Sequence, residues 1–305
     1  MKISVIIPAY NAERYIAKAI ESCLSQTYAP HEIIVIDDAS TDGTAAVAES
    51  FPSPVRVIRL AENVGVSVAR NRGVQASTGD WIAFLDADDW FLREKLELQR
   101  RCALENPHAV LIYTCFLVSR DGMESPARFN PPAKLWPMLR YRCAIHLSTV
   151  AIRREAFNLV GGFDPSLRNC QDWDLWLRLA ARYSVNLFAA VPKPLAVYRR
   201  VAGSLSSNAM RYFNVRSYLI ESRCLYGTAG VSRYLWRRRI MAFMRYDASL
   251  ALREEGSLLD LPFILKSIAL WPLPASGMPM KRYKVAVVMA RQHLFKHLSR
   301  SAPCA

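Results

Sequence analysis

The stretch WIAFLDADDWF, residues 81–91, places three aspartates directly after an apolar run. Asp86, Asp88 and Asp89 repel one another unless a cation lies among their carboxylates. An Asp-x-Asp pair behind a buried strand supplies the one or two carboxylates that a divalent cation needs when it also binds substrate phosphates. A solvated turn or a helix N-cap is the other interpretation, because Asp is common in both. The rest of the chain decides between the two.

Polar residues also follow two other strands of the predicted sheet. Through residue 105, short β-branched runs alternate with segments of helical periodicity, which predicts β-α-β-α-β-α-β and a parallel sheet. In such sheets, ligands bind beyond the carboxyl ends of the strands. The residues at those ends are Pro8, Ala9, Tyr10 and Asn11 after the first strand, Asp37 and Asp38 after the second, and Asp86, Ala87, Asp88 and Asp89 after the fourth. We therefore expect one edge of the sheet to collect five carboxylates, which favours a cation site.

Composition and charge limit the class of protein. The chain has 305 residues, of which 52% are hydrophobic and 22% charged, as is ordinary for a folded globular protein. Its formal net charge of +14 favours a polyanionic partner: a phosphorylated substrate, an anionic membrane face or nucleic acid. The 7 cysteines include no CxxC pair, which indicates a reducing compartment and argues against structural zinc. Because the sequence has no signal-peptide pattern and no apolar run of roughly 20 residues, we expect a cytoplasmic protein that can touch a membrane surface.

The motifs between residues 3 and 206 resemble, in order and spacing, those of the family 2 glycosyltransferases. They are SVIIPAYNAERYIAKAIESCLSQTY, EIIVIDDASTDGT, NVGVSVARNRGVQASTGDWIAFLDADDW, VGGFDPSLRNCQDWDLWLRLA and PLAVYRRVAGSLS. The resemblance implies a GT-A fold, an α/β architecture with a Rossmann-like, mostly parallel sheet flanked by helices. It also implies metal-dependent, inverting transfer of a sugar from a nucleotide-sugar donor to an acceptor hydroxyl, with Mg or Mn as the cation. By analogy with the family, we expect a role in surface polysaccharide or glycolipid synthesis.

The resemblance also implies a role for each candidate residue of the donor site. By position, the donor is expected to contact Pro8, Ala9, Tyr10, Asn11, Asp37, Asp38, Arg70, Asp86 and Ala87. One carboxylate of the pair Asp37 and Asp38 is expected to bind the nucleoside base. Arg70 resembles the arginine that faces the donor diphosphate, a task suited to guanidinium geometry. Asp86 and Asp88 resemble the family's Asp-x-Asp motif, in which Asp88 binds the metal directly.

A general base must come from a different segment than the metal site. Inversion at an anomeric carbon needs a carboxylate opposite the leaving group, where it takes the acceptor's proton. The resemblance matches Asp172 to the family's catalytic aspartate, and Asp174 is the alternative. An acid in the first turn of a helix is also favoured by the helix dipole, which is the competing structural interpretation. Two residues depart from the family pattern: Gln171 replaces the more usual Glu, and Val201 replaces a His that is sometimes assigned to metal or diphosphate contact.

The expected organisation is a GT-A domain over residues 1–205 and a basic helical region over residues 206–305. Within the domain, residues 1–105 are expected to bind the nucleotide sugar and residues 106–205 the acceptor. The expected partners are a nucleotide-sugar donor, a sugar or lipid-linked acceptor and an anionic membrane surface on the inner membrane face, without nucleic acid. The arginine-rich stretch VSRYLWRRRIMAFMRY either packs on a core or docks on that surface.

Two other functions compete with sugar transfer. A nucleotidyltransferase shares the alternating sheet and the metal-binding carboxylates. It would also require a Gly-rich basic loop after the first strand to bind phosphate, but the sequence there, PAYNAERY, has no Gly. A sugar-nucleotide-binding module with little activity predicts loss of Asp88 or Asp172, and both are present.

Several other residues have structural interpretations from the sequence alone. The histidines His31, His108 and His146 show no ligand spacing and are expected to be surface or satisfied core groups. Trp173 and Trp176 are candidates for stacking on a sugar ring, and one of them is expected to be core.

Overall fold

The computed structural model divides the chain into two compact units, Met1–Ser204 (unit 1) and Leu205–Ala305 (unit 2). The residues that the structure describes are 1–127, 129–140, 142–200, 209–224, 230–254, 257, 259–271 and 285–290. Val201, one of the two departures from the family pattern, lies outside the described residues.

The first half of unit 1 alternates strands and helices, as the sequence predicts. Its elements are β1 (Ile3–Ala9), α1 (Glu13–Leu24), β2 (Glu32–Asp37), α2 (Thr44–Glu49), β3 (Val55–Arg59), α3 (Val66–Ala76) and β4 (Trp81–Phe84). The four strands lie in the order β3-β2-β1-β4, and each neighbouring pair is parallel. β1 and β4 are buried along their whole length, which explains their unbroken apolar runs. The carboxyl ends of β1, β2 and β4 therefore meet at one edge of the sheet.

The second half of unit 1 extends the same sheet with strands of mixed direction. Its elements are β5 (Trp90–Phe91), α4 (Lys95–Glu105), β6 (Leu111–Arg120), β7 (Met123–Pro126), α5 (Pro132–Leu139), β8 (Ala151–Arg153), α6 (Arg154–Leu159), α7 (Gln171–Tyr183) and β9 (Phe188–Arg199), with 3-10 turns at Leu147–Thr149 and Val185–Leu187. The strand order is β3-β2-β1-β4-β8-β6-β9-β5, and β7 pairs with β6. β8 runs antiparallel to both β4 and β6, whereas β6 and β9 are parallel. The sheet is parallel through its first four strands and mixed beyond them.

Arg154 links the second half of unit 1 to the first, immediately after β8. Its guanidinium donates to the carbonyl oxygens of Gly79 at 2.6 Å and Val74 at 2.8 Å, and to the hydroxyl of Ser77 at 2.8 Å. These acceptors lie at the end of α3 and in the connection to β4. Because β8 also pairs with β4, side-chain and main-chain bonds hold the junction together.

Helices on both faces of the sheet position the loops at its carboxyl edge. On one face, α1 buries Ile16, Ala19 and Ile20 at helical spacing in a cluster that includes side chains of β1, β2 and β4. On the other face, α3 approaches the sheet so closely that a Cβ at Gly73 would lie 2.4 Å from Ile6 Cγ2. This close packing holds the preceding turn of α3, with Arg70, against the strand ends.

Unit 2 is helical in the residues that the structure describes, as the sequence predicts for the C-terminal extension. It contains α8 (Ala209–Leu219), which continues as a π-helical turn over Ile220–Cys224, α9 (Gly230–Glu254) and α10 (Asp260–Leu270). A small apolar cluster includes Ile264 of α10 and Met289 of the helical residues 285–290. Within the described ranges of the chain, we find no helix whose length and apolar character would let it cross a membrane.

Candidate active site

The three aspartates after β4 have different surroundings, although they lie within four residues. Asp89 is fully buried, accepts a hydrogen bond from the Ser148 hydroxyl at 2.5 Å, and accepts another from the backbone N–H of Arg199 at 2.9 Å. Burial raises the pKa of Asp89 well above its ordinary value, and the charges of Asp86 and Asp88 add to that shift. Asp89 therefore holds the turn in shape, a role that the sequence did not indicate.

Asp86 is paired with Arg70, so two of the predicted donor-site residues are in contact. Arg70 Nη2 lies 2.6 Å from Asp86 Oδ1, and the arginine side chain is only 7% exposed. Its guanidinium also lies over the Phe163 ring, with 5.3 Å between Cζ and the ring centroid. Arg70 Nε is buried without a hydrogen-bond partner in the described residues. A buried donor without a partner is costly, which is consistent with a ligand oxygen that completes the site.

Asp88 is the carboxylate of this turn whose surroundings best fit a metal ligand. Burial, together with the neighbouring charge of Asp86, raises its pKa to about 6. A divalent cation would remove this repulsion, so the donor set of Asp86 and Asp88 fits Mg or Mn. Among the described residues there is no cluster of three or more His, Cys, Asp or Glu side chains with metal-binding geometry. Asp86 and Asp88 would therefore hold a cation whose other ligands are water and phosphate.

The residues after β1 form a loop at the same edge of the sheet, and hydrogen bonds fix its conformation. Asn11 has a positive φ of 50°, and its side-chain oxygen accepts a hydrogen bond from the backbone N–H of Thr41 at 2.8 Å. The backbone N–H of Asn11 donates to the Ser40 hydroxyl at 3.0 Å. Tyr10 is 51% exposed, whereas Ala9 is buried. Pro8 pairs with β2 inside the sheet. Hydrogen bonds to the loop after β2 therefore fix the backbone of the loop after β1, and the Tyr10 ring is exposed.

Asp37 and Asp38 are both buried but have different partners. The two carboxylate oxygens of Asp38 accept the backbone N–H groups of Val64 at 2.8 Å and Gly65 at 2.9 Å, at the start of α3. Asp37 Oδ1 is buried and has no hydrogen-bond partner among the described residues. An acceptor without a partner at the carboxyl end of β2 is consistent with a ligand that donates a hydrogen bond there. Ala87, the remaining donor-site candidate, is 9% exposed inside the acidic turn.

Asp172 and Asp174 lie in the first turn of α7 in contrasting environments. Asp172 is partly exposed, and its oxygens accept the backbone N–H of Trp173 at 2.8 Å and the thiol of Cys143 at 3.3 Å. Burial raises the pKa of Asp172, and these hydrogen bonds offset part of the rise. Asp174 is fully buried, and its Oδ2 lies 2.6 Å from Arg178 Nη2. The structure therefore favours Asp172 over Asp174 as the carboxylate that a substrate can reach.

His146 lies next to the acidic turn, where sequence reasoning did not place it. Its ring contacts those of Phe116 and Tyr198, with centroids 5.0 and 4.6 Å apart. Nδ1 accepts the backbone N–H of Ser148 at 3.3 Å, and burial lowers the pKa of His146. We therefore take the ring as neutral, and its 4.0 Å approach to Asp89 is not an ion pair. A single histidine without ligand spacing carries no sequence signal for this position.

Neither tryptophan of α7 is available to a sugar ring. Trp173 and Trp176 are fully buried, and their indole N–H groups donate to the carbonyl oxygens of Leu139 at 2.6 Å and Ile145 at 3.2 Å. The stacking interpretation of these residues is wrong, because both are core. Gln171, which replaces the family's Glu, is also buried, and its amide donates to the carbonyl oxygen of Leu167 at 3.3 Å.

The sequence matches models and members of one glycosyltransferase family. Residues 4–159 match the family described as Glycosyl transferase family 2, and residues 137–237 match Glycosyltransferase like family 2. The chain is 34% identical over 214 residues to TuaG of Bacillus subtilis, named as a teichuronic acid biosynthesis glycosyltransferase; the match covers 68% of this chain and 82% of TuaG. It is 30% identical over 211 residues to WfgD of Escherichia coli, named as a UDP-Glc:alpha-D-GlcNAc-diphosphoundecaprenol beta-1,3-glucosyltransferase, with 68% of this chain and 81% of WfgD covered.

Solved structures of two glycosyltransferases share the fold. Staphylococcus aureus TarS 1–349 in complex with UDP has a TM-score of 0.62 and 18% identity, covering 95% of this chain and 86% of that one. The mannosyltransferase PcManGT from Pyrobaculum calidifontis, in complex with GDP-Man and Mn²⁺, has a TM-score of 0.54 and 18% identity, covering 95% and 84%. At this identity the likeness concerns the fold alone, and it confirms the predicted GT-A class. With more than half of its length matched by the family model, the chain belongs to the family 2 glycosyltransferases.

Proposed function

We propose that the protein transfers a sugar, with inversion and with the help of a divalent cation, from a nucleotide sugar to an acceptor hydroxyl. The observation that carries this proposal is the convergence of two carboxylate groups from distant parts of the sequence. The short segment 143–148 contacts both: the Cys143 thiol lies 3.3 Å from Asp172 Oδ2, and the Ser148 hydroxyl accepts the backbone N–H of Asp86 at 3.3 Å. A metal site and a general base close to each other are the two requirements of an inverting transfer.

Each proposed role follows from the surroundings of the residue. When bound, Mg or Mn supplies charge neutralisation for a leaving diphosphate, and Asp88 with Asp86 would hold it. Arg70 holds Asp86 in place and offers its Nε to a phosphate oxygen. Asp172 takes the proton of the acceptor hydroxyl, and its raised pKa makes it a stronger base than an ordinary carboxylate.

The nucleoside is proposed to bind over the loops after β1 and β2. Tyr10 provides an exposed ring there, and Asp37 provides a buried acceptor without a partner. The backbone of Pro8, Ala9 and Asn11 forms the wall beside them. In this arrangement residues 1–105 bind the donor, and the segments of 106–205 that carry His146 and Asp172 bind the acceptor.

The relatives suggest a class of substrates. TuaG is named for teichuronic acid biosynthesis, and WfgD is named for UDP-Glc and a diphosphoundecaprenol-linked sugar. A TarS structure contains UDP-GlcNAc, and that of PcManGT contains GDP-Man and Mn²⁺. We therefore propose a nucleotide-sugar donor and a lipid-linked acceptor in surface polysaccharide or glycolipid synthesis. Such an acceptor would bring the protein to the cytoplasmic face of a membrane.

A donor screen tests the proposal. The full chain is incubated with UDP-, GDP- and dTDP-sugars and a diphospholipid-linked sugar, and release of the nucleoside diphosphate is followed with Mg²⁺, with Mn²⁺ and with EDTA. We expect one base to dominate, release that needs the acceptor, and loss of release in EDTA. The anomeric configuration of the product, read by NMR, should be opposite to that of the donor. Release that ignores EDTA, or a product that retains configuration, would contradict the proposed mechanism.

A further inference from the structure

The segment of residues 143–148 touches both carboxylate groups of the candidate site. At one end, the Cys143 thiol lies 3.3 Å from Asp172 Oδ2. At the other end, the Ser148 hydroxyl donates to Asp89 at 2.5 Å and accepts the backbone N–H of Asp86 at 3.3 Å. The segment therefore connects the proposed base to the proposed metal-binding turn over only six residues.

The thiol proton of Cys143 has two acceptors within reach, and the carboxylate is the better one. Cys143 Sγ lies 3.2 Å from the carbonyl oxygen of Ile145 and 3.3 Å from Asp172 Oδ2. The Ile145 oxygen already accepts the indole N–H of Trp176 at 3.2 Å. An ionised carboxylate is a stronger acceptor than a carbonyl that already has a donor. The thiol is thus placed to donate to Asp172.

The thiol remains protonated at neutral pH, as a donor must. Burial raises the pKa of Cys143 well above its ordinary value, and the charge of Asp172 raises it further. The other groups that act on this pair are Cys170, which faces Cys143, and His146 and Arg70, which face Asp172. His146 is neutral, and Arg70 is already paired with Asp86. Among the residues that the structure describes, the side-chain hydrogen bond to Asp172 therefore comes from Cys143.

We propose that Cys143 is a positioning residue for the general base, whose thiol fixes the orientation of the Asp172 carboxylate through Oδ2. This inference rests on the proposed function of Asp172. The other carboxylate oxygen, Oδ1, accepts the backbone N–H of Trp173. The two hydrogen bonds together therefore limit rotation of the carboxylate. A thiol is a weak donor, so it orients the carboxylate while reducing its basicity less than a hydroxyl would.

The pH dependence of the rate gives the first test. With saturating metal, kcat/KM should fall at low pH as Asp172 gains a proton. Cys143→Ala removes the donor, so the carboxylate is less stabilised, its pKa rises, and the acidic limb moves up by about half a unit to one unit. At pH 7 we expect kcat to fall roughly 2- to 10-fold, the equivalent of one hydrogen bond, with the KM of the donor unchanged. Cys143→Ser keeps a donor and should restore kcat, with the limb at or below the wild-type position.

A matched control separates this effect from the general cost of removing a buried thiol. Cys102 is a buried cysteine, whereas Cys143 is half-buried, and Cys102 lies in α4 outside the site. Cys102→Ala should leave the acidic limb and kcat unchanged. The proposal is overturned if Cys143→Ala leaves the limb in place, or if the Ala and Ser variants move it alike.

Thiol reactivity tests the same contact without any knowledge of the substrate. Because the Asp172 charge stabilises the protonated thiol, Asp172→Asn should lower the pKa of Cys143. We expect its alkylation by iodoacetamide at pH 8.5, read by peptide mass spectrometry, to quicken several-fold, while Cys102 reacts at its wild-type rate. An unchanged Cys143 rate would overturn the contact. If Asp172→Asn remains fully active, the proposed base is wrong; if that variant is inactive but Cys143→Ala is normal, only the positioning role is wrong.

Discussion

The acidic turn after β4 shows how three identical side chains acquire different tasks from their partners. Asp86 is neutralised by Arg70, and Asp89 is held by the Ser148 hydroxyl and the Arg199 backbone. Asp88 is shifted towards its protonated form by burial and by the charge of Asp86, and its pKa is raised to about 6, although Arg199 and Arg70 act in the opposite direction. A raised pKa means that the folded protein disfavours the ionised form. Without a cation, this residue therefore lowers stability at neutral pH.

We predict that Asp88→Asn abolishes most donor turnover yet stabilises the metal-free protein. The folded-state pKa of about 6 lies above the ordinary 3.8, so the metal-free wild type loses stability as pH rises between these values. The variant escapes this loss, on the order of 1–3 kcal/mol at pH 7. Thermal unfolding in EDTA at pH 3.5 and pH 7 measures the difference. Asp89→Ala is the control: it should lower the melting temperature at both pH values, because it removes the acceptor of the Ser148 hydroxyl and of the Arg199 backbone N–H. Full activity of Asp88→Asn in chelator would contradict the metal role.

We predict that Asp172→Asn and Asp174→Asn fail for different reasons. Removing the general base should reduce kcat on the order of a hundredfold to ten-thousandfold while donor binding and the melting temperature stay close to wild type. Breaking the buried pair of Asp174 and Arg178 should instead cost about 3–5 kcal/mol of unfolding free energy. Calorimetry of donor binding, thermal unfolding and single-turnover rates separate the two. A stable Asp174→Asn variant with lost activity, beside an active Asp172→Asn, would reverse the assignment.

At the level of single elements, α4 contains an unusual core residue. Lys95 is fully buried in its first turn; its ammonium lies 2.9 Å from Gln99 Oε1 and 4.0 Å from the centroid of the Phe91 ring. Burial lowers the pKa of Lys95 to about 7. The helix thus packs against the sheet with a group that the folded state prefers to keep neutral.

We predict that Lys95→Met stabilises the protein and flattens its stability at alkaline pH. Between about pH 7 and the ordinary pKa of 10.5, the unfolded chain binds a proton that the folded chain does not. Wild-type stability should therefore rise with pH in this window, and the variant should lose that rise. At pH 7 we expect a gain on the order of 1–4 kcal/mol, because the apolar replacement removes the cost that the lowered pKa represents. Urea unfolding at pH 7 and pH 9.5 measures both effects; a wild-type slope of zero would contradict the buried neutral lysine.

The elements that the sequence predicts well are those whose pattern is local. The runs of β1, β2 and β4 and the apolar face of α1 follow from periodicity, and family resemblance indicates Asp88 and Asp172. Pairings between distant segments leave no such pattern, so the antiparallel insertion of β8 between β4 and β6 was not predicted. For the same reason His146 and Cys143 could not be placed: each is a single polar residue whose partner lies far along the chain.

At the scale of the whole molecule, charge is unevenly distributed. Residues 205–305 contain 16 of the 40 Lys and Arg residues but only 5 of the 26 Asp and Glu residues. Some of this charge has a structural use within unit 2. Arg237 Nε lies 2.5 Å from Glu221 Oε1, and Arg238 donates to the carbonyl oxygens of Ala269 and Leu270 at the end of α10. Replacing these arginines would disturb packing as well as any membrane contact, so they are poor probes of docking.

Exposed apolar side chains of unit 2 are better probes of the proposed membrane docking. Leu235 of α9 is 46% exposed and Leu265 of α10 is 52% exposed. We predict that the full chain co-sediments with vesicles containing anionic lipid, that high salt weakens binding, and that Leu235→Ser with Leu265→Ser weakens it further at low salt. Leu104→Ser, at a 64% exposed position of unit 1, should bind like wild type. Equal binding by all variants would leave these side chains without a docking role.

The junction made by β8 and Arg154 limits how this enzyme can be recombined. A chimaera that joins residues 1–105 of this chain to the second half of another family member would cut through a continuous sheet, separating β4 from β8. It would also have to recreate three acceptors for one guanidinium, at Val74, Ser77 and Gly79. Because two of these are main-chain carbonyls, matching residue types would not be enough; the turn between α3 and β4 must keep its shape. New donor and acceptor preferences are therefore more easily reached by exchanging surface loops than by shuffling halves.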